Sequence, residues 1–100
     1  MNIYKEATEH FGVTTQMLQT IEECSELITA ISLFRRKRNN AIYNLKEEVA
    51  DCYIMLRQMM HILDMHDNCE QVTSKLDRLK ARIEFEKLEK KTQREEHTQC

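Results

Sequence analysis

"TIEECSELITAI", residues 20–31, decides how this chain is read. Ile21, Cys24, Ile28 and Ile31 recur at the threes and fours of an α-helix, yet Glu22, Glu23 and Glu26 fall among them. A solvated helix face carries such glutamates freely. A helix that turns them inward needs something to offset the burial of charge. The stretch belongs to a longer stripe of Met17/Leu18, Ile21, Cys24, Ile28, Ile31 and Ser32. That stripe predicts a helix capped by Thr14 or Thr15 and running to about Phe34 or Arg36.

Outward from this helix the rest of the chain is also helical. Residues 2–11 read as a short first helix stopped by Gly12. "RRKRNN", residues 35–40, reads as a basic last turn suited to the helix dipole, followed by two turn-prone asparagines. Asn44 then caps a third helix over about 45–66, with Leu45, Val49, Cys52, Leu56, Met59/Met60 and Leu63 as its stripe. "HDN" at 66–68 breaks the pattern, and a fourth helix from near Asn68 carries Val72, Leu76, Leu79, Ile83 and Leu88. From Lys87 the stripe gives way to charge, which predicts a helical domain over 1–86 and a frayed tail over 87–100. The absence of proline, the single glycine and the abundance of Glu, Lys, Leu, Ile and Met agree on an all-α chain.

Composition also excludes. A formal net charge of −2 gives no electrostatic case for nucleic acid as the main partner. The polar start "MNIYKEATEH" resembles no signal peptide, and no apolar run has the length of a membrane span. A cytoplasmic, soluble protein is expected. Cys24, Cys52, Cys69 and Cys100 match no zinc spacing, and without a secretory context they read as reduced thiols. The scattered histidines form no ligand set either.

The acids do form a pattern. Glu23 and Glu26 are an i, i+3 pair on one helix, and Glu48 and Asp51 are the same pair on the next. Positions 23 and 51 share the midpoint 37, as do 26 and 48, and "RRKRNN" is centred there. An antiparallel hairpin about Lys37 therefore sets Glu23 level with Asp51 and Glu26 level with Glu48. In the third helix a second line, Glu48, Asp51, Met55, Met59 and Ile62, runs from acids into apolar side chains, so the acids are expected to face inward. Like charges at contact distance cost on the order of 4 kcal/mol per pair at an effective dielectric of ~20. A divalent cation relieves that cost. Purely oxygen ligands suit Mg²⁺, with Mn²⁺ as a substitute, better than zinc. Such a cation can hold a triphosphate and neutralise charge that develops on it. A single ExxE is usually a solvated helix face; two such pairs at matching levels are far more specific. Glu22 and Glu47 stay ambiguous between support for the acids and solvation.

"EECSELITAI" followed by "LKEEVADC" resembles the ExxE…ExxD signature of the MazG-like all-α nucleoside-triphosphate pyrophosphohydrolases. The separation by residues 27–47 fits, Leu27, Ala30, Ile31 and Ala50 match the helix pattern, and "FGVTTQML" is similar to the Gly-x-x-x-Gln lead-in of small members. The resemblance covers about residues 10–85. It implies that Glu23, Glu26, Glu48 and Asp51 bind Mg²⁺ and that a nucleoside triphosphate is cut between its α- and β-phosphates. It also implies a homodimer or homotetramer in which the bundle is completed between chains. Glu26 and Glu48 are the candidates for taking the proton of the attacking water. In "KLDRLKARIE", Lys75, Arg78 and Arg82 resemble the family's late basic helix, with Lys75 and Arg82 as candidate phosphate ligands. The "RRKR" turn lies about 12–16 Å along the helix from the acids, beyond direct contact within one hairpin. Two departures stand out. Cys24 and Ser25 replace the smaller residues common between the family's glutamates, and there is no tryptophan for base stacking. Tyr4, Phe11, Tyr43 and Tyr53 are the remaining aromatic candidates for that role. The alternative is a non-catalytic helical module that binds nucleotide or metal, or only assembles.

Overall fold

The computed structural model describes residues 2–36 and 41–98, with side chains up to Glu96, and among these the chain is all-α. Its elements are α1 (Ile3–Phe11), α2 (Val13–Arg35), α3 (Ala41–Ile62) and α4 (Glu70–Thr98). The chain divides into two compact units, Met1–His66 and Asp67–Cys100, described separately below. No helix of the described residues is long and apolar enough to cross a membrane.

In the first unit α2 and α3 pack as the predicted hairpin, and α1 packs on both. Asn2 starts α1: its Oδ1 accepts from the Tyr4 amide at 2.9 Å and the Lys5 amide at 3.4 Å. Gly12 both ends α1 and starts α2. Its N–H donates to the Thr8 carbonyl and its own carbonyl accepts from the Gln16 amide. At φ 90°, ψ 152° it holds a backbone conformation that side chains with a Cβ adopt only under strain. The expected caps Thr14 and Thr15 therefore lie inside the first turn of α2, because glycine already makes the break. Asn44 is likewise inside α3, since that helix extends back to Ala41. Arg35 is the last residue of α2 and Arg36 its cap; the centre of the expected turn, Lys37 to Asn40, lies outside the described residues.

α3 ends at Ile62 rather than at His66. Asp64 takes φ 54°, the Met65 amide donates to the Met60 carbonyl at 2.8 Å, and the Asp64 amide donates to the His61 carbonyl at 3.2 Å. This is the Schellman pattern, with aspartate in the left-handed position that glycine normally fills. In the second unit, the Cys69 carbonyl receives the Val72 and Thr73 amides as α4 begins. The helix continues past Glu86 to Thr98, through the stretch expected to fray. Lys, Glu, Gln and Arg are good helix formers, and pairs such as Arg82 with Glu86 at i, i+4 support them.

The seam of the hairpin differs from the predicted stripes. Its buried residues are Gln16 and Ala30 on α2 and Ala41, Cys52, Met55 and Gln58 on α3. The larger apolar residues lie beside it: Ile21 is 67 % and Ile28 69 % exposed, Val49 50 % and Leu56 49 %. Small and polar residues allow close helix approach, and on the acid-bearing line of α3 Glu48, Met55, Met59 and Ile62 are at least partly buried, whereas Asp51, also expected to face inward, is exposed. At 100° per residue, Met17, Ile21, Ile28 and Ile31 of α2 and Ile42, Val49, Tyr53 and Leu56 of α3 fall on one side of the seam.

Candidate metal centre

On the other side of the seam, the i, i+3 spacing of α2 brings Glu23 and Glu26 within a turn of each other, and α3 presents Glu48 to them. Oxygens of all three carboxylates lie within 4.8 Å of one another. Glu23 and Glu48 are half-buried and Glu26 is exposed at the rim. Glu23 Oε1 accepts from the Gln19 side-chain amide at 2.8 Å. Its second oxygen, Oε2, is shielded from solvent and has no donor, and the same is true of Glu48 Oε2. Two sequestered acceptors without donors beside a third carboxylate are electrostatically unfavourable unless a cation joins them. The charge of Glu23, then partial desolvation, then the charge of Glu48 and a hydrogen bond with it push the Glu26 carboxyl above its usual range. The neighbouring carboxylates thus make the ionised form of Glu26 less favourable, a cost that a divalent cation would relieve.

A cleft of about 250 Å³ continues from this cluster, lined by Ser25, Glu26, Thr29, Ala30, Asn44 and Glu48. Its walls offer carboxylate, hydroxyl and amide groups on a floor made by Ala30, the most buried of the core residues. Asn44, expected as a cap, serves instead as a cleft residue.

Of the four predicted acids, three are brought together. Asp51 is exposed, one turn along α3 from Glu48, and stands outside the trio. Lys75 and Arg82 belong to the second unit, where with Arg78 and Leu79 they line a separate basic cleft of about 430 Å³. Arg82 there pairs with Glu86 at 3.3 Å. Among the aromatic candidates, Tyr4 lies under the Arg57 guanidinium, 5.9 Å from ring centroid to Cζ, and joins α1 to α3. Phe11, Tyr43 and Tyr53 are exposed.

A model of the MazG nucleotide pyrophosphohydrolase domain matches residues 11–83. The chain belongs to that family. The matched segment runs from the end of α1 into α4 and holds the candidate acids and the candidate phosphate ligands, from Glu23 to Arg82. Comparison with curated proteins and with solved structures found no match. Within the MazG domain, the acid trio is the feature that both residue spacing and geometry single out. Gln19, which orients Glu23, was missed in the sequence, although its i, i+4 spacing to that glutamate is the standard signal for a helical side-chain pair.

Proposed function

We propose that this MazG domain hydrolyses nucleoside triphosphates between the α- and β-phosphates, with Mg²⁺ as its cofactor. The observation that carries this reading is the trio Glu23, Glu26 and Glu48, with two solvent-shielded oxygens that lack donors. Its donors are all carboxylate oxygens, which suits Mg²⁺ or Mn²⁺. Glu23, Glu26 and Glu48 would hold the ion, and Asp51, one turn from Glu48, is assigned as a fourth ligand. When bound, Mg²⁺ supplies charge neutralisation at the phosphates and orientation of the triphosphate.

The chain's own groups do the rest. Glu26 or Glu48 takes a proton from water as its oxygen attacks the α-phosphorus in line. The bond from the α-phosphorus to the bridging oxygen breaks, and pyrophosphate leaves with that oxygen. Glu26 suits the role by position, exposed at the rim of the trio and lining the cleft in which a ligand would sit. Gln19 fixes Glu23, and Ser25, Thr29 and Asn44 offer polar contacts to a ligand in the cleft. Lys75 and Arg82 are assigned to the phosphates, supported by their shared basic cleft with Arg78.

A cytoplasmic homo-oligomer is part of the same reading. Ile21 and Ile28 are more than three-fifths exposed in the single chain, and a face carrying Met17, Ile31, Val49 and Leu56 as well is what a second copy would cover.

Pyrophosphate release from a panel of ribo- and deoxyribonucleoside triphosphates, with Mg²⁺ and with chelator, tests the reaction. Mg²⁺-dependent formation of monophosphate and pyrophosphate is expected. It should be lost in folded Glu23→Gln, Glu26→Gln, Glu48→Gln and Asp51→Asn variants. No turnover by folded protein, with nucleotide or metal still bound, would leave the non-catalytic binding module; no binding at all would leave an assembly module.

A further inference from the structure

On the seam itself, the Cys24 and Cys52 sulfurs lie 3.5 Å apart, joining positions separated by 28 residues. Both are free thiols; Cys24 is half-buried and Cys52 buried. Each is one residue from a candidate metal ligand, Glu23 on α2 and Asp51 on α3. Their side chains already point at each other across the two helices. A disulfide requires a sulfur separation of about 2.05 Å, a closure of about 1.5 Å that rotation of the side chains and slight helix approach can supply.

We propose that Cys24 and Cys52 are a reversible thiol-oxidation site whose disulfide clamps α2 to α3. The oxidant is a peroxide. The Cys24 sulfur, the more accessible of the two, attacks a peroxide oxygen; the O–O bond breaks, water or an alcohol leaves with the thiol proton, and Cys24 becomes a sulfenic acid. The Cys52 sulfur then attacks the Cys24 sulfur. The S–S bond forms, the S–O bond breaks, and the departing hydroxyl leaves as water with the Cys52 proton. Two electrons pass in total from the thiol pair to the peroxide. A dithiol reductant reverses the step by exchange. In a reducing compartment such a bond is transient, which suits a sensor better than a structural staple. The cross-link closes the α2–α3 hairpin covalently and holds the two acid-bearing helices together when other contacts loosen. It does not depend on the pyrophosphohydrolase reading.

The test treats the full chain with hydrogen peroxide, blocks remaining thiols, and maps peptides by mass spectrometry without reduction. The expected product is a chain lighter by two hydrogens and not cross-linked to another, with the Cys24 peptide joined to the Cys52 peptide. Dithiothreitol should restore the thiols. The oxidised chain should melt at least roughly 8 °C higher than the reduced one, because the bond constrains a long loop of the unfolded chain. A Cys69→Ser/Cys100→Ser variant should still form the bond, and Cys24→Ser should not. Free, alkylatable Cys24 and Cys52 after oxidation would overturn the proposal. So would Cys24 oxidised to sulfinic acid without cross-linking, or a bond formed only between chains. The two cysteines would then be simple packing residues.

Discussion

Replacing Glu48 by glutamine gives a test whose sign separates two accounts of the acid cluster. If Glu48 were an ordinary half-buried side chain, Glu48→Gln would leave stability unchanged or lower it. In the structure its oxygens lie within 4.8 Å of those of Glu23, and each residue has one shielded oxygen without a donor. For Glu23 and Glu48 both ionised at that separation, repulsion is about 3.5 kcal/mol at an effective dielectric of 20, and about 0.9 kcal/mol at that of water. Partial solvent exposure places the net effect between these limits. The metal-free Glu48→Gln protein is therefore expected to be more stable than the parent by about 1–3 kcal/mol. For a chain of this size that raises the melting temperature by roughly 4–24 °C. Cation narrows or reverses this difference. The parent gains about 2.7 kcal/mol when Mg²⁺ or Mn²⁺ is present at a hundred times its dissociation constant, and the variant gains little. The assay is calorimetric melting at one protein concentration, first in chelator and then across a metal titration. A variant that melts lower in chelator yet keeps the full metal-induced rise would refute the shared-cation account.

Three further outcomes follow from the same geometry. Glu26 has a carboxyl raised in the folded chain, so it contributes stability at pH below the ordinary carboxylate range. That contribution is lost as pH rises through the raised value; metal-free melting temperature should fall over this interval, and Glu26→Gln should flatten the fall. Gln19→Leu, which removes the 2.8 Å bond to Glu23 Oε1, should weaken Mn²⁺ binding about tenfold in isothermal titration, with metal-free melting nearly unchanged. Ile28→Glu, on a residue 69 % exposed in the single chain, should shift the protein toward monomer in sedimentation velocity; an unchanged profile would remove this face from the assembly.

The acids were legible because their order in the chain encodes their positions in space. An i, i+3 pair fixes a helix face, and mirrored spacing about one turn fixes a level, so Glu23, Glu26 and Glu48 could be placed without coordinates. Asp51, placed by the same rule, is exposed outside the trio, because level alone does not set how far a side chain turns toward the seam. The seam was not legible from apolar periodicity. The strongest apolar stripe, with Ile21 and Ile28, marks the greasiest face of α2, whereas close intrachain packing selected Ala30, Ala41 and Cys52. Helix ends were partly legible. Asn2 and Gly12 act by their local chemistry, but Thr14, Thr15 and Asn44 have capping side chains at positions where the helix had already begun. The stop at Asp64 depends on a left-handed aspartate, a conformation its residue type permits without announcing.

The junction between α1 and α2 has a further consequence. With the Thr8 carbonyl and the Gln16 amide both bonded to Gly12, no loop intervenes, and the relative direction of the two helices is written in that residue's two torsion angles. A Cβ in the L position would meet no atom within 4 Å, so the barrier to substitution is the handedness of the backbone itself. In a chemically synthesised chain, D-alanine at position 12 should therefore be accepted where L-alanine is strained, making chirality at a single atom the control on how α1 leans against the hairpin.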